Sequence, residues 1–206
     1  KEPRYIYLGE KFCGGGIILS NHEGTDAPMA LEIYCDAPIR MWGAHEMNSG
    51  LVKMYKYQTR VYYHEKKHWN LGAARVFCLL ASPLTNMFYK GLNLISTYPD
   101  ARLRNTISQS TQAIKEGQNI VIFPEDSSKG YLKQLEGFHP GCILLLQQCI
   151  KQGLDPLVYV SYFKKQSHTY VFGKPVRASE LLAMGDREQV AQILCEQCNK
   201  LASVAC

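Results

Sequence analysis

The chain has 206 residues, of which 46% are hydrophobic, 20% charged and 11% aromatic. This balance excludes a disordered polymer and suits one α/β domain with a true core rather than two full domains. The net charge of +5 favours anionic partners such as phosphate groups, acidic lipid headgroups or nucleic acid, without choosing among them. No run reaches the ~20 apolar residues of a bilayer crossing; the longest apolar patches are 73–81, interrupted by Arg75, and 142–146. No secretory leader is read at the start, and an anchor upstream of Lys1 is compatible with the sequence.

In chain order, a short strand is expected over 16–19, after three glycines, and a helix over 25–35 with Pro28 in its first turn, where proline is tolerated. A strand follows over 39–44. Residues 55–70 are tyrosine-rich and basic and read as an insertion on the main frame, either a solvated loop or a lipid-contact patch. A helix is expected over 71–92, broken near Ser82–Pro83. Then come a strand at 94–97, a helix over 102–116 stopped by Gly117, and a buried strand at 119–123 ended by Pro124. A helix over 143–151, strands at 157–162 and 170–172, and an amphipathic helix over 189–202 complete the pattern. Apolar strands separated by helices predict a single α/β domain over 1–206: a mixed, largely parallel sheet flanked by helices.

Eight cysteines are scattered along the chain, and free thiols are expected. Cys195 and Cys198 form a C-x-x-C pair without a second pair at zinc spacing, which favours two ordinary helix residues over a metal or redox site.

Three polar clusters follow strands, where α/β folds gather their sites. The first holds Asn21, His22 and Asp26. A helix beginning near Glu23 would set His22 and Asp26 one turn apart, so that the carboxylate orients the imidazole and the ring takes a proton from a hydroxyl. The bland alternative is a helix cap beside an exposed histidine. The second cluster is Glu125, Ser127, Ser128 and Lys129 after Phe123-Pro124, able to bind phosphate or to form a solvated turn. In the third, Arg102 and Arg104 diverge on a helix, so one of them faces a shared site; the alternative is a solvated first turn with Asp100 as N-cap.

Taken in this order, the clusters resemble the blocks of the glycerolipid acyltransferase family, which contains the 1-acylglycerol-3-phosphate acyltransferases. Asn21-His22 with Asp26 resembles its histidine–aspartate motif, Arg102 or Arg104 the arginine of the second block, and Phe123-Pro124-Glu125 the third. Phe138-His139-Pro140-Gly141 and Pro156-Leu157-Val158 resemble the stretches that follow, so the likeness spans residues 17–176. The family has four residues between histidine and aspartate where this chain has three. Its glycine, threonine and arginine after the third block are here Asp126, Ser127 and Ser128, with Lys129 one further on. The resemblance implies transfer of an acyl group from acyl-CoA or acyl carrier protein, as co-substrate and not cofactor, to the hydroxyl of a lysophospholipid. His22 would be the base and Asp26 its orienting group, with no metal. Arg102, Arg104, Glu125, Ser127, Ser128 and Lys129 would hold the acceptor, at the cytoplasmic surface of a membrane.

Two other classes fit parts of the chain. His64-Glu65-Lys66-Lys67-His68 is a literal H-E-x-x-H, which on one helical face would hold zinc with Glu65 as the base of a hydrolase. Against it stand two adjacent lysines and the lack of a third ligand between 71 and 92. Basic residues interleaved with aromatics fit a non-enzymatic module for anionic lipid or nucleic acid, although no nucleic-acid motif is present.

Overall fold

The computed structural model describes residues 2–125 and 132–205. Its centre is a mixed sheet of β1 (Arg4–Tyr7), β2 (Ile17–Ser20), β3 (Ile39–Ala44), β4 (Ile95–Thr97), β5 (Asn119–Ile122), β6 (Leu157–Lys164), β7 (Thr169–Phe172) and β8 (Val176–Arg177), in the order β1-β7-β6-β2-β5-β3-β4 with β8 beside β6. Strands β6, β2, β5, β3 and β4 run parallel. Strands β7 and β8 pair with β6 antiparallel, and β1 follows β7. The mixed, mostly parallel α/β architecture is thus as expected. The unexpected strands β1, β8 and the short helix α7 (Ala178–Leu182) are brief and sit on the margin, where hydrophobic pattern is weak.

The central strands are fully buried because both faces are covered. Ile17, Leu19, Ile120, Ile122, Val158 and Val160 face α5 (Leu103–Lys115), α6 (Gly141–Lys151) and α8 (Arg187–Leu201). The alternate residues Ile18, Val121 and Tyr159 face α1 (Asp26–Tyr34) through Ala27, Ala30 and Leu31. That division follows the two-residue period of a strand. Cys195 and Cys198 are buried on the sheet-facing side of α8, the latter donating to the Ser161 carbonyl at 3.2 Å. At the other end of β2, a side chain on Gly14 would come within 2.4 Å of the Gly117 carbonyl, so this close approach excludes any Cβ.

Between β3 and β4 the chain leaves the sheet as a helical arm: α2 (His45–Asn48), α3 (Leu51–Tyr57), a π-helix (Gln58–Lys66) and α4 (Leu71–Gly91). The stretch 55–70 lies inside this arm. Tyr63, Trp69 and Phe77 form an aromatic cluster with centroids 4.8–5.5 Å apart, pinning the π-helix to α4. Asn70 caps α4 by accepting from the Gly72 and Ala73 N–H groups at 2.8 and 3.4 Å. The expected break near Pro83 does not occur: α4 runs unbroken for 21 residues. Pro83 is exposed, and the buried Cys78 and Ser82 hold the helix just ahead of the missing N–H. By length and composition α4 is long and apolar enough to cross a membrane, contrary to the sequence expectation, which rested on the apolar run 73–81 interrupted by Arg75.

The end of β2 is tied to β6 by Asn21, which is 1% exposed. Its Oδ1 accepts from the Phe163 N–H at 2.7 Å and its Nδ2 donates to the Phe163 carbonyl at 3.1 Å. Asn21→Ala leaves a buried N–H and a buried C=O unpaired. The expected loss is about 2–4 kcal/mol of unfolding free energy, measured by denaturant titration; a change within 0.5 kcal/mol, the range of ordinary surface substitutions, would show that the pair is dispensable.

Candidate functional site

Immediately after Asn21 the backbone turns sharply. Glu23 and Gly24 both take left-handed conformations, with φ of 42° and 69°. Glycine adopts this readily, whereas glutamate does so under strain. The turn delays α1 until Asp26, so the helix does not begin near Glu23 and the helical turn expected to join His22 to Asp26 is not formed. Asp26 instead stands at the first helical position with its carboxylate 2.8 Å from Lys165 Nζ, at the end of neighbouring β6.

His22 packs over Phe123, ring centroids 4.9 Å apart, so the ends of β2 and β5 meet. Loss of water around the ring lowers its pKa to about 4; a backbone hydrogen bond at Gly24 works in the opposite direction, and the Lys66 ammonium adds to the lowering. Glu125 lies on the other side of this junction and is 8% exposed. Burial raises its pKa to about 7, against the backbone N–H of His22, which donates to the carboxylate, and against Lys66. Among the described residues its Oε1 has no hydrogen-bond partner. A histidine ring kept neutral and a carboxyl held up toward neutrality therefore belong to neighbouring strand ends joined through the His22 backbone N–H, and two shifted groups at one junction are a pattern found where proton transfer is done.

His22 forms part of the wall of a cavity of about 370 Å³, within the usual range for small-molecule sites. The wall is mostly apolar: Met29, Met41, Met47, Trp42, Leu92 and Leu94, with Phe123 beside the histidine. Trp42 is fixed by donating from Nε1 to Ser110 Oγ at 2.8 Å. The outer wall comes from the arm, through Tyr57, Tyr62 and Lys66 before α4 and Phe88 and Tyr89 within it. Burial raises the pKa of the lining Glu32 and pushes that of Tyr89 up to about 12, as a low-polarity space requires.

The remaining candidates are dispersed. Asp26, Arg102, Arg104 and Glu125 do not line the cavity. Arg102 is exposed, forks onto Asp100 at 2.7–3.1 Å and lies over the Tyr98 ring at 4.5 Å. This pairing holds the Asp100 carboxyl down at about 2. Arg104 points elsewhere, into a groove between α5 and α6 with Lys151 and Gln148. Both follow β4, three strand spacings from β2, or about 14 Å across the sheet. Ser127, Ser128 and Lys129 lie outside the described residues.

The helical H-E-x-x-H geometry is not formed. His64 is in the π-helix, with Nδ1 2.8 Å from the Trp69 carbonyl, whereas His68 lies beyond the helix end with φ of 55°. Among the described residues no three His, Cys, Asp or Glu side chains cluster about a common metal position. Lys66, from this same stretch, reaches the His22 cavity instead. Its role could not be read from the sequence, because only folding of the arm brings it there. Neither protein-family models nor curated proteins yield a match to the chain.

The two shifted groups have opposite effects on stability. Between about 4.5 and 7 the folded protein holds the Glu125 proton that the unfolded chain releases, so its contribution to stability falls as pH rises through this window. The unfolded chain protonates His22 near 6.5 and the folded protein near 4, so stability is lost as pH falls from 6.5 to 4. Glu125→Gln removes only the first effect and keeps an acceptor for the His22 N–H. Its stability relative to the wild type should increase by up to about 3 kcal/mol between pH 5 and pH 8, read from denaturation midpoints; a pH-independent difference would place the Glu125 titration outside this window.

Proposed function

We propose that the protein is an O-acyltransferase that moves a fatty acyl group from a thioester of coenzyme A or acyl carrier protein to a lysophospholipid hydroxyl. The observation that carries this reading is the apolar cavity ending on His22 beside Glu125. The cavity suits an acyl chain, and the polar end supplies a base where the thioester carbonyl would lie. The resemblance of residues 17–176 to the glycerolipid acyltransferase blocks supports the same reaction.

In the proposed step the acceptor hydroxyl gives its proton to neutral His22 as its oxygen bonds to the carbonyl carbon. The carbon–sulfur bond of the tetrahedral adduct then breaks, and the leaving thiolate takes the proton back from the imidazolium. Positioning the two reactants supplies much of the rate, without an acyl-enzyme. A ring with so low a proton affinity needs negative charge nearby as the imidazolium forms. Ionised Glu125, which accepts from the His22 backbone N–H, provides it, with Asp26 as the second proposed carboxylate. Arg102, Glu125, Ser127, Ser128 and Lys129 are the proposed acceptor contacts, Arg104 being turned to the α5–α6 groove, and the cytosolic face of a membrane is the proposed location.

His22→Ala should lower kcat for transfer by about 100- to 10,000-fold in an acyl-thioester assay over a panel of lysolipids and glycerol 3-phosphate, with the unfolding midpoint near that of the wild type. Retained turnover rejects His22 as the base. Arg102 lies over Tyr98 just past the end of β4, and Arg104 lines the α5–α6 groove. Accordingly, Arg102→Ala should raise the acceptor KM by roughly tenfold and Arg104→Ala should leave it unchanged; the reverse result would move the headgroup site to the groove.

A further inference from the structure

Helix α4 is built inside out. Its small residues Ala74, Cys78 and Ser82, four apart, are the buried ones. Its large apolar residues Val76, Leu80, Leu84 and Met87 recur at helical spacing and are 64–78% exposed. A helix packed on a water-soluble domain turns its large apolar residues inward, and an exposed stripe of this length marks a surface that something covers.

Charge identifies what covers it. Residues 51–91, from α3 to the end of α4, hold seven Lys and Arg and one Glu, out of totals of 23 basic and 18 acidic residues. The other 165 residues therefore carry 16 and 17, and the whole positive excess of the chain resides in the arm. Lys53, Lys56, Arg60 and Lys67 are exposed there, together with Trp69, a residue at home in the headgroup layer. A second copy of this chain would bring the same positive arm against itself, whereas an anionic bilayer complements both the charge and the stripe.

We propose that the arm docks on an anionic lipid surface, with α4 lying in the interface and its Val76–Leu80–Leu84–Met87 stripe in the acyl boundary; the choice of lipid rests on the acyl-transfer reading of the His22 cavity. Although α4 is long enough to cross a bilayer, its Ala74–Cys78–Ser82 side is occupied by the protein, so lipid reaches one side only and the helix lies flat. Phe88 is 40% exposed and also lines the cavity, so docking places the leaflet against the outer wall of the space that ends on His22. An acyl chain would enter from the leaflet without passing through water.

The test is co-sedimentation of the full chain with vesicles of phosphatidylcholine, alone or with about one-third phosphatidylglycerol. Binding is expected to the mixed vesicles only, reversed at about 0.5 M NaCl. The double substitution Leu80→Glu and Leu84→Glu should weaken it by at least roughly tenfold with an unchanged unfolding midpoint, and Arg60→Glu with Lys67→Glu should abolish the preference for anionic lipid. His22→Ala should bind as the wild type does. No vesicle binding, or binding that survives the leucine substitutions, overturns the proposal. So does retention after an alkaline carbonate wash, which marks a spanning helix, or a dimer that the leucine substitutions dissociate without affecting vesicle binding. A soluble short-chain thioester and acceptor separate the two readings. His22-dependent transfer without docking rejects the docking surface alone, and docking without transfer rejects the reaction alone.

Discussion

The pairing of Asn21 with the Phe163 main chain is the constraint on which the site depends. Parallel strands are joined by their ladder only as far as the ladder runs, and β2 reaches its last partner at Ser20 against Ser161. Asn21 extends the connection by one residue, using a buried amide that matches one N–H and one C=O. His22 is thereby held before the chain turns, and the strained Glu23–Gly24 corner acts on a fixed point rather than a frayed end. From there the ring rests on Phe123 and the N–H of the same residue meets Glu125, so the ends of β2 and β5 share one polar junction.

Burial acts on that junction in two directions at once. It removes the charge from His22 by making the imidazolium costly, and it keeps the proton on Glu125 by making the carboxylate costly. Lys66 reinforces the first effect and opposes the second, because its ammonium repels a charged ring and attracts a charged carboxyl. A single lysine from the arm thus couples the electrostatics of two strand ends. A molecule that displaces water from the cavity, or that engages Lys66, changes both proton affinities together.

The frame of the fold was legible because it rests on local signals. The unalternating runs at 16–19 and 119–123 announced strands covered on both faces, and the two-residue period then assigned each side chain to one of two cores. The Phe123-Pro124-Glu125 turn and the His22 segment were also legible as strand ends. Their meeting is a consequence of β2 lying next to β5, which chain order alone does not determine. The His22–Asp26 geometry was not legible, since it depended on where α1 starts, and two left-handed residues moved that start to Asp26. Lys165, the partner of Asp26, lies 139 positions away and leaves no local trace. Pro83 misled for the opposite reason: its local rule is sound, but tertiary packing of α4 on the arm overrides one missing hydrogen bond.

The inverted face and the cavity occupy successive parts of α4. The cavity is bounded by Thr85, Phe88 and Tyr89 in the last turns of α4, whereas the buried Ala74, Cys78 and Ser82 precede them and do not line it. Placing alanine, cysteine and serine on the inner side lets α4 approach the π-helix closely, with Ser82 Oγ 3.5 Å from Gln58 Oε1. The large residues are then left outside, where water is a poor partner for them. One helix thus carries an apolar outer face along its length and, at its end, the aromatic wall of an apolar interior, with Phe88 belonging to both.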